Sequence, residues 1–412
     1  MKSNFLKEMQ DRGYLNQCTD LDNLDEIFNK KSISGYIGFD CTASSLHVGS
    51  LLQIMILKLM QKYGHRPIIL LGGGTTLIGD PSGKDSTRKI LEQKEIKNNI
   101  KGIKKVFEKI LDTSNKKTTP VFVDNANWLV KLNYIQFLRD IGRHFTINKM
   151  LTFDSVKLRL NREQSLSYME FNYMILQAYD FYQLYKDNNC ILQIGGSDQW
   201  GNIVNGVDLI RRKLKKEAYG LTSPLITLAS GIKMGKTEKG AIWLNEDQLS
   251  SYDYWQFWRN TDDQDVKRFL NFFTEIEPKE VDNICKKEKN INNLKVLLAN
   301  EATKILHGES ASKKAEQTAK DTFEGGGLGS DLPEIKIKSN EIEKGINILD
   351  FIADNKILFS KSEARRTIAN KGFKINNVVI DDEKKMLKLK DFKENTLKLS
   401  YGKKKHYLVK II

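Results

Sequence analysis

The chain has 412 residues, 40% of them hydrophobic, with a formal net charge of +14, enough for two or three domains with a real core. Lys58 breaks the longest apolar run and Met1-Lys2-Ser3-Asn4 leads into polar residues, so neither a membrane-spanning helix nor a secretory signal is expected. Cys18, Cys41, Cys190 and Cys285 are scattered without CxxC or Cys/His pairing, which argues against a structural zinc or a disulfide framework and for a reducing, cytoplasmic setting.

Residues 1–32 read as an N-terminal helical arm. From 33 to 228, short β-type runs at Tyr36–Phe39, Pro67–Leu71, Pro120–Val123 and Cys190–Ile194 alternate with helix-length segments at Leu51–Tyr63, Lys94–Leu111 and Phe171–Lys186. That alternation predicts an α/β domain, a doubly wound parallel sheet whose ligands bind at the carboxyl ends of the strands. A further strand is expected at Pro224–Leu228. Apolar residues at Phe269, Phe272 and Phe273, then at Leu294, Val296, Leu297 and Leu298, predict an α-helical domain from about Ser250 to Phe323, which together with the lysine loop before it makes up 229–323. Gly325-Gly326-Gly327-Leu328-Gly329-Ser330, followed by Pro333, reads as a flexible linker spanning 324–345. In 346–412, helices at Ile348–Asn355 and Lys361–Lys371 precede strands at Phe373–Ile380, Leu397–Tyr401 and His406–Ile412, a small α+β module. It carries 16 Lys/Arg against 8 Asp/Glu, so +8 of the net charge lies there. A nucleic-acid-binding appendage and a solvated lysine surface both fit that excess.

Four clusters bear chemistry. Tyr36-Ile37-Gly38-Phe39-Asp40-Cys41-Thr42-Ala43 ends the first strand and runs into His47-Val48-Gly49, where a helix N-terminus offers free backbone N–H groups to phosphate. Leu71-Gly72-Gly73-Gly74 continues to Gly79-Asp80-Pro81-Ser82-Gly83-Lys84, with Arg88 beyond. A Walker loop fails there, because three residues separate Gly79 from Gly83 and Asp85 follows Lys84; a dinucleotide fingerprint fails at Leu77. Tyr173, Gln177 and Asp180 stand at i, i+4 and i+7, one helix face, which serves either a solvated surface or a pocket wall. Finally Gly195-Gly196-Ser197-Asp198-Gln199-Trp200-Gly201-Asn202 precedes Lys233-Met234-Gly235-Lys236-Thr237, a cationic loop suited to a departing polyphosphate.

In this order and separation the His47 and Lys233 motifs resemble the two signatures of the class I aminoacyl-tRNA synthetases, and the surrounding residues, from Ile33 to Tyr407, resemble the bacterial-type tyrosyl-tRNA synthetases. The resemblance implies a Rossmann-like catalytic domain, a helical anticodon-side domain and an S4-like RNA-binding tail. It also implies a homodimer through an insertion within 125–165, and L-tyrosine, ATP with Mg2+ and tRNA(Tyr) as substrates, with no tightly bound cofactor and no dedicated metal site. By position, Tyr36 and Asp180 would hold the substrate phenol, Asp80, Tyr173 and Gln177 its ammonium, and Gln199 its carboxyl. Gly38, Asp40, Gly49, Gly196, Asp198, Lys236 and Thr237 would meet ATP. Thr42, His47, Lys233 and Lys236 would stabilise the leaving pyrophosphate, with Lys84 and Arg88 on the same side; Asn127 and Trp128 fall near the pocket. In the tail, Leu358–Arg366 and Tyr401–Tyr407 resemble an S4 domain, with Arg365, Arg366, Lys403, Lys404 and Lys405 on RNA phosphates. Ser50, Gln53, Ile37 and Cys41 depart from the commonest pattern. Two alternatives stand beside this assignment. One is a tryptophanyl relative, opposed by Tyr36, Asp180 and the basic tail. The other is a non-catalytic RNA-binding relative, which would have had to keep the whole site.

Overall fold

A strand buried on both faces reads as an unbroken apolar run, and Pro67–Leu71, buried throughout, is the plainest such run in the first part of the chain. The computed structural model describes residues 1–81, 91–231, 234–237, 240–323, 332–402 and 405–412, with the backbone alone at 154, 155, 236 and 237. The chain divides into two units, Met1–Leu249 with Phe257–Leu306, and Ser250–Gln256 with His307–Ile412.

In the first unit β1 (Gln17–Cys18), β2 (Ser34–Phe39), β3 (Arg66–Leu71), β4 (Val121–Asp124), β5 (Cys190–Gly196) and β6 (Tyr219–Ser223) form one sheet. Its order is β1-β6-β5-β2-β3-β4. All neighbours are parallel except β1, which runs antiparallel to β6 at the edge. The chain builds outward from β2 through β3 to β4, then returns to add β5 and β6 on the other flank of β2. That reversal leaves a crevice between β2 and β5 at their carboxyl ends, where an α/β sheet binds its ligands.

Helices α1 (Leu51–Lys62), α2 (Gln93–Ile110), α3 (Tyr168–Asn188) and α4 (Trp200–Leu214) flank these strands. Eight of the twelve residues of α1 are buried, so it is a core helix without a solvent stripe. Ser167 and Glu170 close a capping box at the start of α3, and Asn189, at φ +50°, ends it. The helices Asn4–Arg12 and Leu21–Lys30 are bound into this unit: the buried Arg12 guanidinium donates to Glu8 and to the carbonyls of Asn271, Thr274 and Ile276.

The strand expected at Pro224–Leu228 is displaced. It is β6, which stops before Pro224 because proline has no N–H for the ladder. Gly220, Thr222 and Ser223 hid it, since small and hydroxylated residues fill buried positions there without an apolar signal.

In the second unit β7 (Glu334–Ile337), β8 (Phe373–Ile375), β9 (Val378–Ile380), β10 (Thr396–Tyr401) and β11 (Lys405–Ile411) lie in the order β9-β8-β10-β11-β7. The helices Ile348–Asp354 and Lys361–Ala369 pack Phe351, Ile352, Ala364 and Ile368 onto Phe373, Leu397, Leu399 and Val409. The single strand expected at Phe373–Ile380 is a hairpin, because Asn376 and Asn377 take φ +46° and +70°, the left-handed pair a tight two-residue turn requires. β7 lies within the stretch read as linker; its charged and apolar residues alternate as an edge strand's do. The glycine cluster Gly325–Ser330 lies outside the described residues. Among the described residues no helix is long and apolar enough to cross a membrane.

Candidate functional site

A cleft of about 440 Å³ opens over the carboxyl ends of β2 and β5. Its wall includes Tyr36, Gly38, Asp40, Thr42, His47, Gly49, Asp80, Tyr173, Gln177, Asp180, Gly196, Asp198 and Gln199, residues drawn from all four sequence clusters. Gly38 has nothing within 4 Å of where a Cβ would stand, so the backbone of β2 is open to a flat ligand at that point.

The buried end of the cleft is built around a carboxylate. Asp180 on α3 is 1% exposed. Its Oδ1 accepts from the Trp128 indole N–H at 2.7 Å and its Oδ2 from the Asn125 amide at 2.9 Å. Burial pushes its pKa up to about 7; the bonds from Asn125 and Trp128 oppose the shift, and the Asp124 charge adds to it. Tyr36, also 1% exposed, has no hydrogen-bond partner for its hydroxyl among the described residues. Its pKa is raised well above the ordinary phenol value by burial and by the Asp180 charge. An ionisable acceptor and an unpartnered phenol therefore share one recess, which Leu70 lines and where the Tyr36 ring packs against Phe181. Leaving a buried phenol hydroxyl without a partner is costly, so the recess suits a ligand that carries a hydroxyl.

Toward the mouth the polar groups are linked. The Gln199 amide donates to Asp80 at 2.9 Å, Asn202 donates to both Gln177 (3.0 Å) and Gln199 (3.1 Å), and the Tyr173 hydroxyl donates to Asp40 at 3.5 Å. Tyr173 and Asp180 are buried, so the polar stripe of α3 is a pocket wall and not a solvated face. Asp80 and Asp40, with these amides, offer acceptors for a cationic group and donors for an anionic one within a single chain of side chains.

The two signature segments are physically joined. Val48 N–H donates to the Ile242 carbonyl and Leu244 N–H to the Leu46 carbonyl, both at 2.9 Å, and His47 bridges Trp243. His47 Nδ1 accepts from Gly49 N–H at 3.0 Å, which orients the imidazole and leaves Nε2 to carry the proton. A Cβ on Gly235 would stand 2.5 Å from that Nδ1, and one on Gly49 2.7 Å from the Met234 carbonyl; Gly235 also has φ +96°. Only glycine at both positions lets the loop reach the start of the Val48–Ser50 turn and α1.

Lys84, Arg88 and Lys233 lie outside the described residues, and Lys236 and Thr237 are described by backbone alone, forming a short hairpin with Gly240–Ala241. In the second unit Arg365 is exposed and pairs with Glu383 at 2.9 Å, Arg366 is exposed, and the half-buried Lys405 begins β11, its charge acting on Asp253. Lys403 and Lys404 lie outside the described residues. These basic residues belong to a different unit from the cleft.

Sequence reasoning missed Asn125, Thr75 and Asn202. Asn125 is the hub: its Oδ1 accepts from the Gly74 N–H at 2.7 Å, and its amide donates to Thr75 as well as to Asp180. Of Asn127 and Trp128, the pair the resemblance places near the pocket, Trp128 reaches the carboxylate, and the amide that joins it there is Asn125. The available signal was its place one residue past a strand end, where α/β sheets put ligand-facing groups. Gln53, Gln193 and Trp243 also line the cleft.

Residues 29–324 match the family described as tRNA synthetases class I (W and Y). Residues 326–409 match the tyrosine–tRNA ligase SYY-like C-terminal domain. The fold is that of the class I synthetases. Over 408 residues the chain is 60% identical to a tyrosine–tRNA ligase of Pelagibacter ubique, covering 99% of each. It is 53% identical over 409 residues to one of Zymomonas mobilis, covering 99% of this chain and 98% of that protein. A C-terminally truncated mitochondrial tyrosyl-tRNA synthetase of Aspergillus nidulans superposes with a TM-score of 0.71 at 29% identity, over 78% of this chain and 95% of that one. The chain belongs to the tyrosine–tRNA ligase family.

Proposed function

We propose that the cleft activates L-tyrosine with ATP and that the chain then transfers the tyrosyl group to the 3′ end of tRNA(Tyr). A tyrosine carboxylate oxygen attacks the α-phosphate of ATP, which enters as its Mg2+ complex. The bond between the α-phosphate and the bridging oxygen breaks, and pyrophosphate leaves. A terminal ribose hydroxyl of the tRNA then attacks the tyrosyl carbonyl and AMP departs. No protein nucleophile is needed, so the residues act by positioning and by stabilising charge. The observation that carries this reading is the buried Asp180 carboxylate sharing a recess with the unpartnered Tyr36 hydroxyl, an acceptor beside a donor, which a phenol hydroxyl can meet on both sides while an indole N–H, a donor only, cannot.

In this reading Asp80, Tyr173 and Gln177 hold the ammonium and Gln199 the carboxyl. Gly38, Asp40, Gly49, Gly196 and Asp198 border the nucleotide. Thr42, His47 and the Lys233-Met234-Gly235-Lys236-Thr237 loop, with Lys84 and Arg88, meet the pyrophosphate. The basic second unit holds the tRNA through Arg365, Arg366 and the Lys403–Lys405 run. Two copies associate through the exposed apolar side chains Val130, Tyr134, Ile135, Ile147, Leu158 and Leu160, a density of apolar surface that a monomer has no reason to keep. The activity is cytoplasmic. The test is ATP–pyrophosphate exchange on the full chain with tyrosine, phenylalanine and tryptophan in parallel, repeated on Asp180→Ala. Tyrosine-dependent exchange that collapses in the variant is expected; tryptophan-dependent exchange, or none in a folded protein that still binds tRNA, overturns the reading.

A further inference from the structure

Phe359 is 84% exposed, more than any other large apolar side chain among the described residues. It stands one residue before Ser360, which caps the helix Lys361–Ala369. A hydrophobic residue at that position ordinarily folds back onto the helix's fourth residue and is buried there. Here that residue is Ala364, itself fully buried in the core, and the phenyl ring projects into solvent instead.

The ring is also held firmly at its base. Ile357 and Leu358, immediately before it, are buried in the core of the unit. The Phe359 N–H donates to Glu363 Oε2 at 3.2 Å, while Glu363 N–H donates to Ser360 Oγ at 3.2 Å. An aromatic presented this way loses little conformational entropy on contact. The surroundings select the partner. Between residues 356 and 371 there are five cations, Lys356, Lys361, Arg365, Arg366 and Lys371, against one anion, Glu363. Lys361 and Arg365 pair with the exposed carboxylates of Asp350 and Glu383, bonds weak enough in water to be exchanged for phosphate. A single ring among cations is too small for an apolar protein interface. It fits a nucleobase, whose π-face it can cover while the cations hold the flanking phosphates.

We propose that Phe359 stacks on an unpaired base of the tRNA. The inference rests on the reading of the second unit as tRNA-binding, and it adds a contact that charge alone does not supply. The experiment measures the affinity of the full chain for a tRNA(Tyr) transcript across a salt series, for wild type and for Phe359→Ala, Phe359→Leu, Phe359→Trp and Arg366→Ala. Phe359→Ala and Phe359→Leu are expected to weaken binding by about 5- to 150-fold, the worth of one stacked base, with the salt dependence of wild type. Phe359→Trp stays within about twofold of wild type. Arg366→Ala reduces the salt slope by about one phosphate's worth. Melting temperatures should agree throughout, because the ring supports no core.

Wild-type affinity in Phe359→Ala, with Arg366→Ala still weakened, overturns the stacking while leaving the tRNA-binding role. Affinity retained in Phe359→Leu also overturns it, since that identifies an apolar contact and not a stack. If wild type binds no tRNA, or if both Phe359→Ala and Arg366→Ala bind as wild type does, the assignment of the second unit falls and the stacking with it.

Discussion

Asp180→Asn tests the tyrosine site with the least change of shape. In the wild type both carboxylate oxygens accept, one from Trp128 at 2.7 Å and one from Asn125 at 2.9 Å. An asparagine accepts with one oxygen only and turns an NH2 toward the other donor, leaving a buried N–H unpaired at a cost of about 1–3 kcal/mol to the fold. Separately, the substrate hydroxyl loses a charged acceptor, worth about 1.5–3 kcal/mol, or roughly 10- to 150-fold in kcat/KM for tyrosine. Phenylalanine has no hydroxyl to lose the bond, so the selectivity ratio falls by the same factor. The pH dependence follows from the raised pKa of about 7. The accepting form of Asp180 is complete above that pH and falls about tenfold per unit below it, so wild-type kcat/KM for tyrosine rises with unit slope to about pH 7 and then levels, while the variant lacks this limb. The assay is tyrosine- and phenylalanine-dependent ATP–pyrophosphate exchange over about pH 5.5 to 8.5. A variant within about twofold of wild type for tyrosine at about pH 8, or a flat wild-type profile, refutes the role given to this carboxylate.

Gly235→Ala places a Cβ 2.5 Å from His47 Nδ1 at φ +96°, a backbone cost of about 1–2 kcal/mol before the overlap is relieved. Exchange kcat should drop about tenfold or more with tyrosine affinity, measured by equilibrium dialysis, unchanged; an unaffected kcat would show that the two signature segments need not touch. His65, wedged edge-on between Phe5 and Phe28, has its pKa lowered to about 4 by burial. Because the folded value lies below the unfolded value of 6.5, its contribution to stability is full above about pH 6.5 and is lost as pH falls toward 4. Urea unfolding should therefore show wild type losing stability over that window relative to His65→Leu, and parallel curves would contradict the assignment. Ile135→Glu puts a charge on a side chain that is 72% exposed in the single chain. Sedimentation should show wild type as a dimer and the variant as a monomer, and a variant that remains dimeric moves the interface elsewhere.

The parallel strands β2 to β5 were legible to within about two residues at each end, because each carries a short run of β-branched, aromatic or other apolar residues, most plainly β3, which is buried from Pro67 to Leu71. β6 was not, since Gly220 and Ser223 occupy core positions that carry no apolar signature. The Asn376-Asn377 turn had the residues of a tight hairpin, yet the apolar Val378–Ile380 beyond it made the whole stretch look like one strand. The stripe Tyr173, Gln177, Asp180 was readable as a helix face, but periodicity is the same for a face turned to water and one turned into a pocket. Burial distinguished them. The two signature motifs could be recognised as strings, while their contact, Gly235 against His47, required the Ile242–Leu244 segment to fold back onto Leu46–Val48.

Residue type and spacing by themselves determined the order of elements, the kinds of group the site contains and the family they resemble. Which amide serves Asp180, and whether that carboxylate sits in water or in a buried recess, was decided only by the tertiary structure. Asn125 and Asp180 are 55 positions apart, and hydrogen-bond partners and desolvation are properties of where separate segments meet.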